Sequence, residues 1–138
     1  MKSAKAGAVL LSIWSGLNLL LAVGILIAVI VLHRNPPSLS MVFSDAEISR
    51  LDVKAIGLIR ALAVLFNACA AAFCLLVLWV VWKGLVRGNR WAFWALATSM
   101  VLLQAFGFVG DTYLGNHNVL PNAISSVVLV AGLTIAAL

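Results

Sequence analysis

The whole stretch from Ala6 to Leu32 carries no charged side chain. Crossing the hydrocarbon core of a bilayer, about 30 Å thick, takes about 20 consecutive apolar residues of helix, and this run exceeds that length. Lys2 and Lys5 precede it, as basic residues precede a secretory signal, but the apolar part of a signal spans only roughly 7 to 15 residues. The run is therefore read as a retained crossing helix. It ends at His33-Arg34-Asn35-Pro36-Pro37, because proline lacks the amide donor a helix interior needs and restricts the residue before it.

Composition extends this argument to the entire chain. Hydrophobic residues are 64% of the 138, charged residues 9%, and the mean hydropathy is +1.17. A water-soluble domain could not hide that share in one core. Further apolar runs at about 57–82, 91–110 and 119–138 complete the pattern. The expected fold is an all-α, integral membrane four-helix transmembrane bundle, one domain over 1–138. Ser38 to Phe43 reads as a loop. Ser44-Asp45-Ala46-Glu47 offers a capping box, so an additional amphipathic interfacial helix is expected at about 45–56. Ile48, Leu51 and Ala55 would be its apolar stripe and Arg50 and Lys54 its polar positions. Gly57 would mark a bend into the second span.

Lys83-Gly84-Leu85-Val86-Arg87-Gly88-Asn89-Arg90 reads as a short basic hairpin that makes the second and third spans antiparallel neighbours. Lys2, Lys5, Lys83, Arg87 and Arg90 fall on one side of the expected membrane. The first connection mixes Arg34, Arg50 and Lys54 with Asp45, Glu47 and Asp52, and the third has neither Lys nor Arg. The positive-inside rule then places both termini in the cytoplasm. Trp79, Trp82, Trp91 and Trp94 flank the basic hairpin, as an aromatic belt does at the headgroup level. Lys83, Arg87, Arg90, Trp82 and Trp91 are thus candidate contacts for anionic lipid, against simple anchoring of the span ends. The net charge of +5 is read as topology, not as a nucleic-acid footprint.

In hydrocarbon every polar side chain needs a partner. Arg60 and Asn67 share a face of the second span, as Gln104 and Asp111 share a face of the third, each pair separated by almost two helical turns. In an antiparallel pair this spacing levels Arg60 with Asp111 and Asn67 with Gln104. Asn122 and Ser125 enter the fourth span from the same outer side. These six residues form the candidate ligand-binding or structural polar cluster. Asn18 in the first span would make one interhelical hydrogen bond. Ser12 and Ser15 are expected to bond carbonyls of their own helix. Ser12 with Gly16, and Ala95 with Ser99, have the fourfold spacing of small residues that suits close helix contact.

Catalytic chemistry finds little support. No nucleophile, base and orienting group occur together, and no phosphate-binding glycine loop or metal-binding helix motif is present. Cys69 and Cys74 sit on different faces of one helix, and His33 and His117 lack acidic or thiol partners at metal-ligand spacing, so neither a disulfide, a metal nor another cofactor is expected. Small multidrug transporters carry an acidic residue in their first span; none lies between Ala6 and Leu32, and no family is assigned. The leading expectation is non-enzymatic binding or transport of a small ligand through an outward-facing polar pocket, in a homo-oligomer or with a partner membrane subunit. The alternative is a structural or accessory subunit of a larger membrane complex, and an enzyme comes third. A bacterial inner membrane is the expected location.

Overall fold

The computed structural model describes residues 2–113 and 120–137, and all regular structure in them is helical. The elements are α1 (Lys2–Ile30), α2 (Pro37–Val42), α3 (Asp45–Ile48), α4 (Val53–Lys83), a 3-10 turn (Leu85–Arg87), α5 (Arg90–Tyr113) and α6 (Leu120–Ala137). Three stretches are long and apolar enough to cross a membrane: Ala4–Ile30, Val53–Arg87 and Arg90–Gly110. Within α6 the segment Ala123–Ala137 is a shorter apolar helix.

The first connection departs from expectation in two places. The stretch read as a loop contains α2, which begins at Pro37 after an extended Pro36 (φ −63°, ψ 144°). Proline at the first helical position gives up a donor that would have no partner there anyway, and the buried Leu39 anchors the turn. The amphipathic helix expected over 45–56 is cut short. α3 spans only Asp45–Ile48. Its capping carboxylate is in place, with the Ser44 backbone N–H donating to Glu47 Oε2 at 2.9 Å and the Ser44 hydroxyl donating to the same oxygen at 2.7 Å. The chain then tightens into three-residue turns, Arg50 N–H to Glu47 O and Leu51 N–H to Ile48 O. The Ser49 hydroxyl turns back to Ala46 O at 2.8 Å, the local competition that makes serine a poor helix propagator. α4 starts afresh after Asp52, whose carbonyl accepts the Ile56 N–H at 3.0 Å. It runs through Gly57 without a break.

The chain divides into two compact units, Met1–Leu17 with Cys74–Leu138, and Asn18–Phe73. In the first, α1 presents one buried stripe of Gly7, Ala8, Leu11, Trp14 and Ser15. These residues recur at helical spacing. Cys74, Val77 and Val81 of α4, Leu85 of the turn, Ala92, Leu96 and Met100 of α5, and Leu129 of α6 complete the core, with α5 packed on α6.

A close approach in this unit joins α1 to α6. A Cβ at Gly7 would stand 2.6 Å from Ala136 Cβ and 2.7 Å from Gly132 O, and one at Gly132 would stand 2.9 Å from Leu11 Cδ2. Such contact between backbones is how helices associate where lipid removes the hydrophobic drive. Within this chain Gly16 has nothing within 4 Å of its Cβ position, and the Ser99 hydroxyl donates to Ala95 O of its own helix. Ser15 also departs from expectation. Fully buried, it donates to Cys74 O of α4 at 3.0 Å, because the carbonyl of a neighbouring helix is within its reach. Ser12 Oγ is buried with no hydrogen-bond partner among the described residues.

Candidate functional site

Arg60 is half-buried about 10 Å along α4 from Val53, at 1.5 Å rise per residue. Its Nε and Nη2 both donate to Asn35 Oδ1, at 3.2 and 2.9 Å, and Nη2 also donates to His33 O at 3.2 Å. The acceptors lie in the segment that leaves α1. There the helix end widens, with Leu32 N–H reaching Ile27 O at 3.1 Å and Arg34 N–H reaching Ala28 O at 2.9 Å. His33 adopts the left-handed conformation at φ 51°, uncommon for a residue with a Cβ. A guanidinium with a rigid fork of donors therefore ties the reversal after α1 to α4. It also sets a cation close to the carbonyl end of α1, the favourable end of its dipole for positive charge.

Of the other expected polar residues in this unit, Asn67 donates through Nδ2 to Ala63 O of its own helix at 2.8 Å, and Asn18 is half-buried. In the first unit, Gln104 is half-buried on α5, and Ser125 accepts the indole N–H of Trp14 at 2.7 Å, a bond from α1 to α6. Asp111 and Asn122 lie in α5 and α6, but their side chains fall outside the described residues, as does His117. The expected Arg60–Asp111 pair falls there with them.

The basic connection is a rigid turn. Gly84 packs so closely that a Cβ would stand 2.5 Å from Ala92 Cβ and 2.9 Å from Val80 O. Leu85 is buried beneath it. The turn's amides are engaged: Arg87 N–H and Asn89 N–H donate to Gly84 O, and Gly88 N–H donates to Leu85 O. Gly88 takes the left-handed conformation (φ 74°, ψ 19°) that glycine adopts without strain. Lys83, Arg87 and Arg90 are exposed on this frame, as are Trp79, Trp82, Trp91 and Trp94 at 53–64%. Along α6, Ser126, Val127, Val130, Ala131, Thr134 and Ile135 line a shallow, open, apolar groove of about 490 Å³.

Sequence reasoning missed Asn35, the His33 carbonyl and the Trp14–Ser125 bond. A carbonyl acceptor has no signature in sequence, although a tryptophan away from the belt residues was a signal that it has a different task. Together these features define an all-helical chain with three helices of membrane-crossing length. No protein-family model, curated protein or solved structure matches the chain.

Proposed function

We propose that the chain is a non-enzymatic accessory or structural subunit of a larger membrane assembly. It would be a four-helix transmembrane bundle in which α6 makes the last crossing and both termini face the cytoplasm. The observation that carries this reading is the state of Arg60. An ionisable residue within a membrane helix is a functional-site hypothesis by default, yet this guanidinium is engaged by Asn35 and His33 at the end of α1. Asn67, one helical face along, is likewise turned onto its own backbone. Both side chains thus spend hydrogen bonds within the chain itself. The concave surface on α6 is apolar and is lined by that single helix, a shape that suits another helix better than a polar solute. Low burial within the chain agrees: 22%, 22% and 17% of the three crossing windows are buried.

Light scattering on the protein extracted with its lipids tests the reading. The expected result is a polypeptide mass above that of one 14.6 kDa chain. A strictly single-chain particle at every protein concentration would contradict it.

A further inference from the structure

The connection between α4 and α5 is symmetric in a way that lateral assembly does not explain. Lys83 and Arg90 stand at equal distances in sequence from its midpoint, and so do Trp82 and Trp91, and Trp79 and Trp94. Each helix therefore repeats the same order from its end inward: a cation, an indole beside it, and a second indole about 4.5 Å deeper, at 1.5 Å rise per residue. Within each helix the inner indole lies three residues from the outer indole and four from the cation, so the three fall within an arc of about 100°. All six are exposed, as is Arg87 between them.

Charge complementarity selects the occupant. The chain's acidic residues are Asp45, Glu47, Asp52 and Asp111, so neither the turn nor the first half of α5 carries a carboxylate to neutralise these cations. Near a membrane surface, Lys and Arg attract anionic headgroups, and indoles settle at the level just beneath. The turn is held by Gly84 against Ala92 and by the buried Leu85, so its cations are displayed on a fixed frame.

We infer that this turn binds anionic phospholipid, with Lys83, Arg87 and Arg90 on the headgroup phosphate and the indoles of Trp79, Trp82, Trp91 and Trp94 against the glycerol and upper acyl region. The surface selects for lipid charge and does not merely anchor the helix ends. This goes beyond the accessory-subunit reading and does not depend on it.

Tryptophan quenching by brominated lipid in nanodiscs of the full-length protein tests the inference. Four of the 5 tryptophans are the belt residues, and Trp14 is only 5% exposed, so quenching reports the turn. At equal mole fraction and low salt, brominated phosphatidylglycerol should quench severalfold more than brominated phosphatidylcholine. Each cation accounts for roughly a fivefold preference. The excess should shrink as salt is raised. It should vanish in the triple variant Lys83→Gln, Arg87→Gln, Arg90→Gln and survive in Arg34→Gln, Arg50→Gln, Lys54→Gln. Equal quenching by the two lipids would overturn the inference and leave an anchoring belt only. So would an excess in the unmodified protein that ignores salt, a result that decides the matter even if the triple variant fails to fold.

Discussion

Arg60 holds Asn35 through two nitrogens on one oxygen, Nε at 3.2 Å and Nη2 at 2.9 Å. The same Nη2 reaches the His33 carbonyl, so one side chain fixes the segment in which α1 gives way to two prolines. Asn35→Ala should remove the paired contact while leaving the carbonyl one. A loss of about 0.5–1.5 kcal/mol is expected, the ordinary worth of a hydrogen bond at a group this open to solvent. Arg60→Lys should not restore full stability, because an ammonium lacks the planar fork. Thermal unfolding checks the loss, and faster amide exchange at residues 31–35 should accompany it.

The bond between Trp14 and Ser125 joins α1 to α6 inside a packed core. Ser125→Ala should cost about 1 kcal/mol, in the range measured for polar contacts between membrane helices. Trp14→Phe made in the same chain should recover part of that cost, since no indole donor then remains to be satisfied. A Ser125→Ala protein as stable as the unmodified chain would show that the bond contributes nothing.

Gly7 and Gly16 are both helical glycines of α1, with opposite surroundings. Gly7→Ala drives a methyl into Ala136 and the Gly132 carbonyl and should destabilise by about 1–3 kcal/mol through overpacking. Gly16→Ala meets nothing within 4 Å and should be neutral or stabilising by up to about 1 kcal/mol, since alanine is the better helix former. Melting temperatures of the two variants in one detergent compare them directly.

Hydrogen bonds from the Ser44 hydroxyl and backbone hold the Glu47 carboxyl below its ordinary value of 4.5. With the folded value below the unfolded one, the carboxylate's support for α3 is fully present above the unfolded value. It is lost as pH falls through the folded one. The amide proton of Ser44 should titrate with a midpoint below 4.5, and α3 should fray on the acid side of it. Ser44→Ala should move that midpoint up by removing the hydroxyl contact. A midpoint at or above the ordinary value would remove the capping box as the reason α3 forms.

What could be read from the residues was what depends on near neighbours. The uncharged run from Ala6 to Leu32, the stop at Pro36-Pro37, the Ser44–Glu47 cap and the exposed Trp82 and Trp91 all follow from local preference, and the structure has each of them. α2 and the break at Ser49 were missed because a short turn is decided by contacts such as the burial of Leu39, which no periodicity records. The polar cluster was harder still. The expected partner Asp111 lies outside the described side chains; among those described, the guanidinium meets an amide oxygen 25 residues away and a main-chain carbonyl, neither of which charge pointed to. Ser15 shows the same blindness, since its acceptor is the backbone of Cys74. Close packing of Gly7 on Gly132 and Ala136 depends on which helices become neighbours, and spacing within one helix cannot reveal that.

Native mass spectrometry of the protein released from its own lipids, run beside its Arg60→Gln variant, tests the central claim most directly. If the chain is an accessory subunit and Arg60 a structural tie, the spectrum should show this chain with a second polypeptide, whether another copy or a different subunit. Arg60→Gln should then lower thermal stability without releasing any bound small molecule. A single chain carrying a small polar ligand, lost in an Arg60→Gln protein that melts like the unmodified one, would contradict the account and make Arg60 a ligand contact.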